Sequence, residues 1–281
     1  MNMKILMNLK FGQNIEVLAS SIPDRYTYEV FGVKVRSESA YNIQNEITDL
    51  NVNFNKQDIL IFHTHTCESY TNSEQYSYTP TGNYRTTDLN YSVCRVGDEL
   101  EKLLKNYGYN VIHDKTYHDY PSYNGSYNRS LTTVSNILSN NSNVDIVIDL
   151  HRDAIGDNTY APTVKIGDDY CARVMFVIGT DGGGLTHKNW RENVKIALKI
   201  QKKADELYPG LFKPMIVRNS RYNHHLAKGA CIIEVGSTGN TLEQCLNSMK
   251  YLAKIYNELW LKIWNRPHFL QKIKILKFTW N

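Results

Sequence analysis

The chain has 281 residues, 42% hydrophobic and 21% charged, which suffices for one substantial core and excludes an intrinsically disordered class. Its net charge of +4 is mild and scattered, with no basic stripe interleaved with aromatics, so no nucleic-acid partner is expected, whereas an anionic polymer fits. No apolar run reaches the roughly eighteen residues of a membrane span, and Lys and Asn interrupt the opening MNMKILMNLKFGQN; neither anchor nor signal peptide is visible, and the chain reads as soluble.

Residues 1–55 are weakly patterned. Within them YTYEVFGVKV alternates around a Gly turn, so the region is expected to be a small leader or an edge hairpin. Residues 59–62, ILIF, read as a short buried strand running directly into His63, His65 and Glu68. His65 and Glu68 are three apart, so one sharp turn lets an imidazole nitrogen and a carboxylate oxygen face the same point. A catalytic zinc site needs a third protein ligand from elsewhere. The polar stretch 71–87 is a long loop by composition, expected to overhang that strand end.

From Leu89 the period turns helical: Val93, Val96, Leu100, Leu103, Leu104 and Tyr107 share one face, and Gly108 stops the run. A strand at 109–112, a polar aromatic loop, HDYPSYNGSYNRS, and a helix carrying Leu131, Val134, Ile137 and Leu138 follow. The third strand, 144–150, is the most apolar and ends at His151, Arg152 and Asp153. A fourth occupies 173–179 before a Gly-rich turn, and a helix over 188–207 is broken by Pro209 and Gly210. Strands at 215–218 and 230–234 come next, the last ending at Glu234. Asn240 with Glu243 reads as a capping box for a helix striped from Leu242 to Ile263. This alternation predicts an α/β domain over 56–265, a mixed, mostly parallel twisted sheet with helices on both faces, and a basic C-terminal tail at 266–281.

Five cysteines without a CxxC pair argue against a disulfide framework or a Cys-rich zinc site. Cys67 lies inside the HTHTCES stretch, but a thiol nucleophile needs a deprotonating environment that sequence does not reveal. Three strand ends carry His63, His65 and Glu68, then His151 to Asp153, then Glu234. If they converge, two imidazoles, a carboxylate and a spare glutamate are the parts of a hydrolytic zinc site, with the spare glutamate as proton carrier.

The segments HTHTCESY, TTDLNYSVCRVGDEL, YNGSYNRS, DLHRD and IIEVGSTGNTLEQ together resemble the stage II sporulation protein P family, a branch of the zinc-dependent N-acetylmuramoyl-L-alanine amidases, over residues 57 to 263. The resemblance implies an amidase domain that binds Zn²⁺ and cuts the amide between muramic acid and the stem peptide of peptidoglycan. It also implies stem cross-link cleavage, a partner lytic transglycosylase, membrane-anchored sporulation proteins and an extracytoplasmic place in the cell envelope. Residue by residue it implies His65 and His151 as metal ligands, Glu234 as catalytic glutamate, and Glu68, with Asp88 second, as carboxylate ligand. His63 is expected to hydrogen-bond a ligand. Arg152 is expected to polarise the scissile carbonyl or bind a stem carboxylate, or else to pair with Asp149 or Asp153. His113, His118, His187, His224, His225 and His268 read as surface or structural residues. The alternatives are a zinc peptidase on stem peptides and a non-enzymatic wall-binding module.

Overall fold

The computed structural model describes residues 7–8, 14–52, 58–155 and 157–263. In chain order these form β1 (Met7–Asn8), β2 (Asn14–Val17), β3 (Tyr28–Val30), β4 (Val33–Glu38), the single turn α1 (Ile43–Glu46), β5 (Asp58–Phe62), α2 (Val93–Asn106), β6 (Val111–His113) and α3 (Ser126–Asn140). Then come β7 (Val144–Asp153), β8 (Thr163–Ile166), β9 (Asp169–Ala172), β10 (Val174–Gly179), α4 (Trp190–Leu207), β11 (Met215–Arg218), β12 (Gly229–Ser237) and α5 (Leu242–Ile263).

Eight strands make the main sheet in the order β3-β4-β11-β10-β12-β7-β5-β6. One parallel block holds β12, β7, β5 and β6, the other holds β4, β11 and β10, and the two meet antiparallel between β10 and β12. The α/β class and the mixed, mostly parallel sheet expected from the sequence are those of the structure. The β3–β4 hairpin closes one edge of this sheet, with Phe31 and Gly32 at positive φ in its turn. A second, antiparallel sheet, β1-β2-β8-β9, has no counterpart in the sequence reading. Its paired strands β8 and β9 are four residues each, too short for alternation to declare itself.

Strand periodicity sorts side chains between two layers. Ile59, Ile61, Ile148, Leu150, Phe176 and Ile233 join a core shared with α2, α4 and α5. Leu60, Phe62, Val147 and Ala230 point the other way, against Val134 of α3. Farther along that second face Met175, Val177, Ile216 and Ile232 form a patch covered by Tyr222. Helices therefore lie on both faces, unevenly.

Local signals explain the helix limits. Ser92 caps α2 by accepting from Cys94 N, and Gly108 after it has φ 86°. Burial of Leu100 and Leu104 on this helix is worth about 1.5–3 kcal/mol each. The capping box of α5 is Thr241 with Gln244, which exchange hydrogen bonds of 3.2 and 3.4 Å, one residue later than the expected Asn240 and Glu243. Asn240 is drawn away because its Oδ1 accepts from Ser237 N at 2.9 Å. The expected tail at 266–281 lies outside the described residues. Among those described, no helix is long and apolar enough to cross a membrane.

Candidate active site

The strands β7 and β12 run three residues beyond the expected ends at Leu150 and Glu234, so His151 and Glu234 stand within them. They are register partners across a parallel pair. Period two puts Asp149, His151, Ile232 and Glu234 on the α3 face. After β5 the chain makes one turn, closed by Glu68 N donating to His65 O at 3.2 Å. Thr64 ties that turn to β7: its N donates to Asp149 Oδ1 at 2.7 Å and its hydroxyl to Asp149 Oδ2 at 2.6 Å.

Glu68 Oε2 thereby comes within 3.5 Å of His151 Nδ1 and accepts from Arg152 N at 3.2 Å. The His65 and His151 rings stand edge to face, centroids 5.2 Å apart. His65, Glu68, His151 and Glu234 are thus brought together from three segments of chain. Three buried atoms there make no hydrogen bond, His65 Nδ1, His151 Nε2 and Glu234 Oε2, although Asp149 Oδ1 stands 2.7 Å from His151 Nε2. Two imidazoles, one carboxylate and such orphaned atoms fit a divalent cation of zinc's preferences. His65 Nε2 lies 3.1 Å from the Tyr123 hydroxyl and its ring stacks on Tyr123, so closing all three ligands round one ion takes an adjustment of His65.

Burial alone would push the His151 imidazolium down, but Asp149 and Glu68 outweigh it and raise His151 well above the ordinary imidazole value. Asp149 sits 2.7 Å from His151 Nε2. Both carboxyls are buried, which raises them, yet His151 holds each at about 2. His65 is lowered by burial and then by the His151 charge. Glu234 is pushed up to about 8 by burial, with His151 pulling the other way. A half-buried carboxyl raised toward neutrality, with Oε2 unpartnered, is suited to shuttling a proton near neutral pH.

Other expected residues stand elsewhere. Asp88 is exposed and accepts from Asn90 N and Asn90 Nδ2, capping the short helical turn before α2, far from a ligand's role. Arg152 alternates onto the opposite face from His151. Its guanidinium donates to the carbonyls of Ser69 at 2.9 Å and Tyr84 at 3.2 Å, so it clamps the 71–87 segment rather than polarising a substrate carbonyl. It does not pair with Asp153, which holds Lys213 at 2.8 Å. His63 touches no ligand: Nδ1 donates to Leu150 O at 2.8 Å and Nε2 meets His113 Nε2 at 2.8 Å. His118 Nδ1 donates to His63 O at 2.7 Å, and His268 lies outside the described residues. Cys67 is buried and its thiol is raised to about 12, burial first and Asp119 second, so it stays protonated.

The sequence reading gave no site role to Asp119, Tyr123 and Tyr127, and named Asp149 only as a pairing partner for Arg152. Asp149 was legible as the residue two before His151, hence on its face. The tyrosines were not, because only the fold lays the loop of Tyr123 and the first turn of α3, with Tyr127, over His65. One further acid–histidine group among the described residues, Asp98, Glu101 and His113, has all its ligand atoms within 4.8 Å of one another. Lys115 and Lys105 already pair with its carboxylates at 3.0 and 2.7 Å, supplying their counter-charge.

Similar folds include the CwlD amidase from Clostridioides difficile in complex with the GerS lipoprotein, 16% identical, TM-score 0.47, with 74% of this chain and 99% of that one covered. The catalytic domain of CwlV, an N-acetylmuramoyl-L-alanine amidase from Bacillus (Paenibacillus) polymyxa var. colistinus, is 13% identical with a TM-score of 0.42, covering 74% and 97%. In sequence the chain is 30% identical over 218 residues to stage II sporulation protein P of Bacillus subtilis (strain 168); this takes in 73% of the chain but only about half, 51%, of that relative. The family model for stage II sporulation protein P matches residues 22–257, which take in β3 to β12, most of α5 and every residue of the convergent site, and the chain belongs to that family.

Proposed function

We propose that this chain is a zinc-dependent hydrolase of peptidoglycan that cuts the amide between N-acetylmuramic acid and L-alanine of the stem peptide. The supporting observation is the convergence of His65, Glu68, His151 and Glu234, far apart in sequence, on one sheet face. His65, Glu68 and His151 would hold Zn²⁺, which supplies Lewis-acid charge at neutral pH. Asp149, at His151 Nε2, orients that ring and leaves Nδ1 turned toward Glu68. Glu234 takes a proton from the attacking water and delivers it to the departing amine nitrogen. Burial raises its carboxyl to about 8, so it can hold and release that proton near neutral pH.

In this reading the protein acts in sporulation, on the outer face of the cell envelope, beside a lytic transglycosylase and membrane-anchored sporulation proteins. Incubation with purified muropeptides, with and without a chelator, tests the chemistry. New alanine amino ends are expected, and only without chelator. Glu234→Gln is expected to retain zinc and lose at least about a hundredfold in rate. Full activity after complete demetallation, or digestion by Glu234→Gln at the parent rate, would sink the reading. New ends inside the stem peptide instead would make it a peptidase.

A further inference from the structure

The α3 face does not end at Glu234. Beyond it Met175, Val177, Ile216 and Ile232 continue as an apolar floor under Tyr222. Beside this floor lies a cavity of about 460 Å³ whose wall includes Tyr127, Leu131, Asn219, Arg221 and Tyr222. Tyr127 is the partition between cavity and site, its ring 5.7 Å from His65 on one side and 5.7 Å from Tyr222 on the other. Tyr222 has φ 51°, a left-handed conformation that strains a bulky side chain. Asn223 holds the turn in place, its Nδ2 donating to Tyr127 O at 3.0 Å and Ser130 Oγ at 2.9 Å.

Arg221 is the charged member of the wall. Its Nη1 donates to Thr186 O at 3.2 Å, its Nε is buried without a partner, and it pairs with no acid among the described residues. Its histidine neighbours give it no counter-charge. His187 is fully buried, lowered to about 4 by burial and then by His225, and neither of its ring nitrogens has a partner. His225, lowered by burial and by Arg221 itself, leaves Nδ1 unpartnered. A guanidinium so placed, one step from a site for amide hydrolysis, is matched by a carboxylate taken up through its planar fork of donors.

We propose that this cavity receives the peptide on the leaving side of the scissile amide and that Arg221 binds its C-terminal carboxylate. This rests on the amidase reading, since it takes the substrate to be a peptide-bearing amide. The cavity selects for peptides with an unblocked carboxylate, and Tyr127 guides the chain from His65 to Arg221.

Calorimetric titration of the zinc-loaded Glu234→Gln protein tests this, with a muramoyl tripeptide ending in a free carboxylate and the same compound as its C-terminal amide. The acid is expected to bind about tenfold more tightly. Adding Arg221→Met is expected to bring the acid down to the level of the amide and to leave the amide unchanged. Equal binding of acid and amide, or a preference that survives Arg221→Met, overturns the proposal. If Arg221→Met shifts the melting temperature, Arg221→Gln is read in its place by the same criterion: it keeps a donor and removes the charge, so loss of the preference supports the proposal and its survival overturns it. The amidase reading fails by a different sign, absence of new alanine amino ends from the unsubstituted protein, which leaves the carboxylate preference separately measurable.

Discussion

Asp149 shows how much one side chain can settle. It accepts from Thr64 N and Thr64 Oγ1, fastening the turn that carries His65 and Glu68, and it also stands at His151 Nε2. Asp149→Asn keeps the shape and removes the charge, so zinc affinity is expected to fall about 10–100-fold in a chelator competition, with little change in the far-UV spectrum. An unchanged affinity would mean that His151 needs no orienting partner. Removing the imidazole is a harsher change. His151→Ala is expected to abolish both stoichiometric zinc and hydrolysis, read by metal analysis and product assay on the same preparation.

At the scale of elements, two contacts hold the site's surroundings. Gly97 lies inside α2, where a Cβ would come 2.5 Å from His113 Nε2 and 3.0 Å from His63 Nε2. The helix can therefore pack on the histidine pair only without a side chain at this position. Gly97→Ala gains about 1 kcal/mol of helix propensity but forces the pair apart, for a net loss of about 1–3 kcal/mol in a urea titration. A stabilised variant would show that the pair yields at little cost. The second contact is the Arg152 clamp between β7 and the carbonyls of Ser69 and Tyr84. Arg152→Ala leaves those acceptors unsatisfied and is expected to cost about 2–4 kcal/mol and to open the 71–87 segment to limited proteolysis.

For the molecule as a whole, Asp205 on α4 gives a pH dependence independent of the metal. It lines a cavity of about 540 Å³ with Lys34, Arg173 and Gln201, and burial pushes it to about 7 from 3.8, against the pull of Lys34 and Arg173. A carboxyl raised on folding binds its proton more tightly in the native state. Stability therefore falls as pH rises from about 4 to about 7, and the full cost is present above that range. Asp205→Asn is expected to raise Tm by a few degrees at pH 8 and hardly at all at pH 4. Equal gains at both pH values would assign the effect to packing.

The sequence by itself determined the elements of the main sheet and the residue types at their ends. Apolar runs stop at HTHTCES, at HRD and at Glu234, because period and composition are local properties of the chain. It also carried enough ordered blocks for the family. Only the tertiary structure decided which of these polar residues meet. Glu68 stood first and Asp88 second as carboxylate ligand, and the turn after β5 delivers Glu68 to His151 while Asp88 caps a helical turn in solvent. Arg152 and His151 are adjacent in sequence, yet the pleat sends them to opposite faces, one to the carbonyls of a loop and the other to the site. The antiparallel β10 beside β12, the second sheet and the cavity behind Tyr127 were likewise outside its reach. Strand order and side-chain partnership are long-range properties, set by how the whole chain buries its apolar faces, and no short window of residues contains them.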